Sequence, residues 1–396
     1  MENLRRLNVQ LIGIGGAGNK GTINVVEKGV LEKDDIFLIN STMRDVAPDY
    51  KDIAYIYDTV GGSGKDMKFA ESLAKKELER GTLGQQLNEW VKPDTDIVVI
   101  TGSTEGGTNA GSISVITDFI YDELDIPVVN ILLTGFMKDA RGVKNTIDVF
   151  KKLRIKEIGV QTISSSKCLE GKDIVKAQQH ANDELAQRIS ILITKGIVDS
   201  DDNIDNTDLY NTAAFPGYMT IEHIPLPKLK DMNAFNETLN TMINGSKSLD
   251  IDPEEDKKKV GKRAVFINLK DEKEKMFVDF EFESLKEYYG EPYDKFDHIQ
   301  FEKDQESYIS VILTGMNMPL AELIDMENKY KMLNSSVNKE VDTFDEVVAD
   351  MKSDVDDGMF DIGRKRRRPK ENVSGPEHMK KYGVKQEEKA KDDIYK

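Results

Sequence analysis

The sequence predicts an α/β protein built on a doubly wound parallel sheet, and three observations carry that expectation. Strands alternate with helices from residue 5 to residue 165, the pattern of parallel strands joined by crossover helices. Three glycine-rich segments, 13–18, 61–64 and 102–111, each follow a strand. At 396 residues and 38% hydrophobic content, the chain is long enough for two domains with real cores plus a tail. Ligands in such sheets bind outside the C-terminal ends of the strands, so the three glycine segments converge on one edge and point to a polyphosphate.

The first strand, residues 7–14, delivers Gly13-Ile14-Gly15-Gly16-Ala17-Gly18-Asn19, and a helix continues from Thr22. Gly13, Gly15 and Gly18 match G-x-G-x-x-G, the fingerprint of dinucleotide-binding sheets, which raises an NAD-dependent oxidoreductase as one reading. The second strand, residues 35–40, tests it. A dinucleotide site places Asp or Glu there for the ribose hydroxyls; this chain has Asn40, followed by Ser41 and Thr42, which weakens the NAD reading. A short strand at 54–57 then leads into Gly61-Gly62-Ser63-Gly64-Lys65-Asp66. This is not the P-loop G-x-x-x-x-G-K-[ST], because the first glycine falls on Thr59 and the final hydroxyl on Asp66. A helical stretch over 66–90, broken near Gly81 and Gly84, follows.

The chain is organised around residues 96–112, an apolar strand running into a glycine-threonine loop and then a helix from about Thr108. Val98, Val99 and Ile100 form a β-branched run suited to a buried parallel strand, while Gly106, Gly107 and Gly111 let the backbone approach an anion. The helix start directs unpaired N–H groups and the positive end of its dipole at that anion. A strand at 127–134 ends at Gly135 and a polar turn with Lys138, Asp139 and Arg141; a helix at 143–153 and a strand at 159–164 follow.

Residues 173–195 read as a long helix with Gly196 as its C-cap. Beyond it, Asp199, Asp201 and Asn203 match the first three ligand positions of a Ca²⁺ loop, but the required Gly and Glu are Ile204 and Tyr210, so that motif fails. Residues 215–325 form a second unit with strands at 218–224, 263–269, 276–281 and 307–313 and a charged connector at 250–259. Helices are expected at 319–332 and 342–351.

Charge is segregated along the chain. The net charge is −17, yet residues 364–396 carry twelve Lys or Arg and six Asp or Glu, a local +6, leaving −23 on residues 1–363. The acidic body argues against direct nucleic-acid binding, whereas the basic tail, with Arg364-Lys365-Arg366-Arg367-Arg368-Pro369-Lys370, reads as a disordered segment, either solubilising or binding. The lone Cys168 leaves no internal disulfide and, with four histidines, argues against a zinc site. No run of eighteen apolar residues appears and residues 1–8 are too polar for a signal peptide, so a cytoplasmic protein without membrane insertion is expected.

With these pieces in order, the chain resembles the tubulin and FtsZ superfamily of filament-forming GTPases across roughly residues 7–325. The segment from Gly13 to Asn19 looks like the first FtsZ nucleotide loop, and Glu105-Gly106-Gly107-Thr108-Asn109-Ala110-Gly111 looks like the tubulin signature G-G-G-T-G-[ST]-G, with Glu105, Asn109 and Ala110 departing from it. Asn203, Asp205 and Asp208 are similar to the family's catalytic acidic loop, and Ala181-Asn182-Asp183 to its base-contacting segment. The resemblance implies a GTPase domain over 1–172, a central helix over 173–196, an acidic loop and α+β domain over 197–325, a helical extension over 326–363 and the basic tail over 364–396. It implies that GTP or GDP, with Mg²⁺, is held by Gly13, Gly15, Gly16, Ala17, Gly18, Asn19, Asn40, Gly62, Gly64, Gly106, Gly107, Thr108, Asn109, Ala110, Gly111, Asp139 and Asn182. Asp205 and Asp208, with Asn203, would enter the site of the next subunit in a head-to-tail filament. The relaxed signature and basic tail look most like TubZ, the plasmid and phage tubulins that segregate DNA through a DNA-bound adaptor; a cell-division FtsZ is the alternative within the family.

Overall fold

Ten strands make one continuous sheet: β1 (Val9–Ile14), β2 (Ile36–Asn40), β3 (Ala54–Ile56), β4 (Ile97–Ser103), β5 (Val128–Thr134), β6 (Gly159–Ser164), β7 (Gly217–Pro225), β8 (Val260–Asn268), β9 (Pro292–Gln300) and β10 (Tyr308–Met316). Their spatial order is β3-β2-β1-β4-β5-β6-β7-β10-β8-β9. This computed structural model describes residues 7–335 apart from 60, 170, 172, 194–205 and 252–259, all within a unit spanning Met1–Val348. Strands β1 to β6 are mutually parallel, with the order reversing between β1 and β4, as a doubly wound sheet requires. At the other end β10 runs antiparallel to both β7 and β8, and β9 closes the sheet parallel to β8.

The helices are α1 (Gly15–Glu27), α2 (Met67–Glu79), α3 (Thr82–Trp90), α4 (Gly107–Asp118), α5 (Ala140–Leu153), α6 (Ile174–Leu192), α7 (Asn206–Ala213), α8 (Met232–Gly245), α9 (Glu283–Tyr289) and α10 (Leu320–Ser335). Every residue of β5, and all but Ser103 of β4, is buried, because helices cover both faces of the parallel half. Val143, Ile147, Phe150 and Leu153 on α5 recur at helical spacing and are buried together. Each such side chain contributes about 1.5–3 kcal/mol when removed from water.

The antiparallel half alternates instead. On β8, Ala264 and Phe266 join the large core that includes α6, while Val265 and Ile267 join a second core with Phe235, Leu239 and Phe282. Period-two alternation along one strand therefore feeds two hydrophobic layers.

Three sequence expectations need correction. The glycine segment after β1 is not a loop, since α1 begins at Gly15 itself, whose φ of +73° a side chain would resist. The expected strand at 276–281 is a short 3₁₀ turn, Glu272–Phe277, followed by α9. Its alternation of Val278, Phe280 and Phe282 misleads: Val278 and Phe282 drop into the second core while Phe280 stays exposed. The strand of that region is β9, whose Pro292, Asp294, Lys295 and Asp297 weaken the sequence signal. Asp208 lies in the first turn of α7 rather than in a loop. The expected Gly196 cap, the connector 252–259, the helix at 342–351 and the basic tail lie outside the described residues.

Candidate functional site

The C-terminal ends of β1, β2, β3 and β4 share one edge, and the three glycine segments meet there. At Gly15 a Cβ would lie 3.5 Å from Thr108 Cβ and 3.6 Å from Asn109 N, so the N-termini of α1 and α4 stand side by side. Three hydroxyls tie the segments together. Thr108 Oγ1 is 2.8 Å from Ser41 Oγ and 2.9 Å from Ser63 Oγ, and Ser63 N donates to Ser41 Oγ at 3.2 Å. Thus the first residue beyond β2, the Gly-Gly-Ser-Gly loop and the start of α4 form one buried polar knot.

Helix capping sets this edge apart from four other helices, although α3 also opens without a side-chain cap, at Gly81. Helices α2, α5, α6 and α8 each open on an aspartate whose carboxylate accepts a backbone N–H: Asp66, Asp139, Asp173 and Asp231. Helices α1 and α4 open at Ile14 and Gly106 with no side-chain cap and no acidic residue in the first turn. Two adjacent helix N-termini thus present unpaired N–H groups and the positive ends of their dipoles, with no side-chain anion in their own first turns.

The glycines around these termini fall into two groups. A Cβ on Gly107 would press within 2.7 Å of the Lys65 and Asp66 backbone, and one on Gly111 would strike Met67 O and Glu71 N of α2. These two are packing glycines. At Gly16 and Gly106 the nearest atoms lie 3.6 and 3.8 Å from the Cβ position, at Gly62 3.6 Å, and at Gly61 and Gly64 nothing lies within 4 Å. Those five leave backbone open around the uncapped helix starts, the surface a polyphosphate needs.

Asn19 and Asn40 sit behind the cradle, both buried. With its amide assigned from its partners, Asn19 donates to Gly13 O at 2.7 Å and Gly15 O at 3.2 Å and accepts from Asn40 Nδ2 at 3.2 Å, while Asn40 Oδ1 accepts from Ser41 N at 2.8 Å. Ala17 is exposed on the first turn of α1, and Gly18 packs against β4, its Cβ position 2.6 Å from Thr101 O. Asn109 donates to Ser103 O at 3.1 Å, leaving its buried Oδ1 without a partner beside Gly102, and Ala110 is fully buried.

On the far side of the cradle, Asp139 caps α5 through Gly142 N at 2.9 Å and pairs with Lys65 Nζ at 2.5 Å. The Lys65 ammonium and the Gly142 N–H hold its carboxyl below the ordinary value. Asn145 of α5 donates both to Lys65 O and to Glu105 O at 3.1 Å, joining the second and third glycine segments. Asn145, Ser41 and Ser63 were absent from the sequence-derived ligand set. Ser41 and Ser63 adjoin residues in that set, whereas nothing in the sequence marks an asparagine inside α5.

Asn182 lies half-buried on α6 with its Oδ1 3.4 Å from the Cβ position of Gly21, at the contact of α6 with α1. Its neighbour Asp183 accepts from Asn24 Nδ2 at 3.2 Å and Gln179 Nε2 at 3.2 Å and pairs with Lys28 Nζ at 3.2 Å. Burial opposes ionisation of Asp183, yet these three donors hold its carboxyl below the ordinary range. Past it, a cavity of about 360 Å³ opens between α6 and the sheet, lined by Lys28, Gln187, His223, Phe266 and Tyr308 among others.

Asp208 is not brought to the glycine edge. Helix α6 starts after the C-terminal end of β6 and, at 1.5 Å per residue, carries the chain roughly 28 Å away. Helix α7 then ends at Ala213, whose carbonyl is 3.8 Å from the Cβ position of Gly159, the first residue of β6. Asn203 and Asp205 lie outside the described residues.

No family model matches the sequence. Among solved structures, the chain is similar to the GTPγS-form protofilament of TubZ from Bacillus thuringiensis serovar israelensis, with a TM-score of 0.68 and 15% identity over 88% of this chain and 94% of that one. The TubZ of Clostridium botulinum phage c-st matches with a TM-score of 0.64 and 15% identity over 83% of this chain and 98% of that one. CetZ from Methanosaeta thermophila matches with 0.63 and 17% over 90% and 98%. The chain has the fold of these TubZ and CetZ structures. A curated relative, the cell division protein FtsZ of Mycoplasmopsis pulmonis, is 27% identical over 167 residues, which is 41% of this chain and 40% of that protein. In this fold the edge with the uncapped helix starts lies at the C-terminal ends of the parallel strands, whereas α7 lies beside the start of β6. Among the described residues no helix is long and apolar enough to cross a membrane.

Proposed function

We propose that the chain is a GTP-hydrolysing cytoskeletal protein that assembles head to tail into filaments. The observation that carries this reading is the separation of the two halves of the site: the cradle lies at the C-terminal ends of the parallel strands, and α7, which carries Asp208, lies beside the start of β6. Neither half is complete alone. Stacking one subunit on the next would bring Asp208, with Asn203 and Asp205, onto the triphosphate held by its neighbour, where the carboxylates would position the attacking water.

The residues present fit a nucleotide. Open backbone at Gly16, Gly62 and Gly106 and two uncapped helix starts suit phosphates, and Asn182 and Asp183 offer an amide and a carboxylate to the donor and acceptor edge of guanine. Mg²⁺ bound with the nucleotide would neutralise phosphate charge, and the hydroxyls of Ser41, Ser63 and Thr108 are the protein oxygens that would face it. The resemblance to TubZ, the plasmid and phage tubulins, favours a role in DNA segregation, with the basic tail 364–396 recruiting a DNA-bound adaptor.

Sedimentation and phosphate release measured together with GTP, GDP and ATP test the reading. GTP alone should yield both pelleted polymer and phosphate. Asp205→Ala should bind GTP and pellet but release phosphate at least about a hundredfold more slowly; wild-type turnover by that variant at concentrations too low to polymerise would refute the shared site. The FtsZ match favours a second reading, a cell-division protein. A truncation ending at Gly363 discriminates: under the segregation reading it polymerises but loses adaptor recruitment.

A further inference from the structure

Two strands of the antiparallel half give up a side chain near α7: β8 carries Gly261 and β10 carries Gly315. Glycine inside a strand weakens it and marks the close approach of another group. That group is the ring of Phe215. A Cβ on Gly261 would strike Phe215 Cε1, and one on Gly315 would lie 2.6 Å from the same atom. Gly315 stands at φ +75°, and the pairing of β10 with β7 shifts register between Leu313 and Met316, so the ladder itself gives way beside the ring. A cation also lies over the ring. Lys262 Nζ is 5.7 Å from the centre of Phe215 and 5.6 Å from that of Phe296, and it pairs with Asp294 Oδ2 at 2.9 Å. The Lys262 side chain is only 14% exposed, so these contacts are made largely out of water, where they are strongest.

Phe215 follows α7 by two residues, and the backbone carries its hold into that helix. Phe215 N donates to Thr212 O at 3.2 Å, Ala214 N to Tyr210 O at 2.8 Å, and Thr212 Oγ1 to Asp208 O at 2.8 Å. Leu209 and Ala213 sink into the large core and set the depth of α7. Helix α7 has eight residues, too few to keep a fixed orientation without tertiary contacts. The ring, locked to β8, β9 and β10, sets how far the helix turns about its buried face. Asp208 lies roughly 10 Å further up the chain, so any rotation at the ring is passed on to its carboxylate. Phe215 is itself only half-buried, and core packing alone does not account for two strands giving up side chains to seat it.

We propose that Phe215 is a positioning residue for the shared site: seated on Gly261 and Gly315 and covered by Lys262, it orients α7 so that Asp208 meets the triphosphate of the next subunit. The proposal rests on the head-to-tail GTPase reading above. In it Phe215 contacts neither nucleotide nor attacking water and acts through Asp208.

Phosphate release per pelleted subunit, together with calorimetric titration of the full chain with GDP, tests it. Phe215→Ala should pellet with GTP and bind GDP within about twofold of wild type, because the cradle is remote from the ring. Each polymerised subunit should release phosphate roughly tenfold to a hundredfold more slowly, the loss expected when a reacting group is misplaced by about 1 Å. Phe215→Leu keeps apolar bulk but not the flat ring; it should lose about threefold, and it carries the same comparisons if Phe215→Ala does not fold. Asp208→Ala supplies the reading that a purely structural role would not move. Adding Phe215→Ala to it should slow release by less than about a further twofold, since the ring acts through that carboxylate. Gly261→Ala, which pushes the ring off its seat, should slow release as Phe215→Ala does, and the two together should be no slower than either alone. Multiplicative losses in either pair, a loss of GDP binding as large as the loss of turnover, or wild-type turnover per polymerised subunit in Phe215→Ala or Asp208→Ala would overturn the proposal. Failure of the wild type to hydrolyse GTP, or hydrolysis without polymer, would instead overturn the reading on which it depends.

Discussion

Gly106 and Gly111 lie on one strand-loop-helix unit, yet a methyl group would meet opposite fates at them. At Gly111 it would run into the backbone of α2, whose Glu71 N lies 2.6 Å from the Cβ position; at Gly106 the nearest atom is 3.8 Å away. Gly111 exists so that two helices can touch backbone to backbone. Gly106 leaves a helix start open at the sheet edge, one that would ordinarily be capped, as α5 is by Asp139. A glycine-rich motif is therefore two devices written in one residue type, and only its open members leave backbone free for a ligand.

The strongest way to break this division is Gly111→Ala. If the packing role is right, the variant loses about 3 kcal/mol of stability, because backbone on the α2 side cannot yield as a side chain would. Urea unfolding measures it, and a loss below about 1 kcal/mol would move Gly111 out of the packing group.

The sequence contains the ingredients of this comparison but not the sorting. The strands of the parallel half were legible because runs such as Val98, Val99 and Ile100 are buried on both faces and need no partner to be recognised. The position of Asn40 at the end of β2 and the run of glycines after three strands were legible for the same reason. Whether a glycine faces a neighbour or solvent depends on which helix crosses it, and that is a tertiary fact. Asn145 shows the limit most clearly: its two bonds, to Lys65 O and Glu105 O, span 80 and 40 residues of sequence. In the other half, the expected strand at 276–281 misled because Val278 and Phe280 alternate as strand residues do, whereas the chain turns there and the next aromatic, Phe282, fills a core beneath the Arg263 guanidinium, 4.4 Å from its ring centre.

Gly106→Asp sharpens the comparison from the other side. Gly106 has φ −80° and ψ 141°, ordinary for a cap, so an aspartate fits without strain and would accept from the first N–H groups of α4. The expected result is a gain of about 0.5 kcal/mol in stability together with a loss of more than about tenfold in nucleotide affinity. A variant that is both more stable and poorer at binding would establish that the open helix start is kept for a ligand. Unchanged affinity would return Gly106 to the structural group.

The smallest effect tests the capped member of the pair. Asp139→Asn keeps the cap, since asparagine accepts the Gly142 N–H as well, and removes the charge that Lys65 and the α5 dipole stabilise. Because the Asp139 carboxyl is held below its ordinary value of 3.8, its contribution is present above that value and disappears as pH falls through the lowered one. Solvent reaches about half of both side chains, so the difference between wild type and variant at pH 6 should be only about 0.5 kcal/mol. It should shrink toward zero as urea unfolding is repeated at pH values falling from 5 to 3. A difference independent of pH would mean that the cap geometry, rather than the charge, sets the contribution of Asp139, and the contrast with the uncapped α4 would then rest on hydrogen bonding alone.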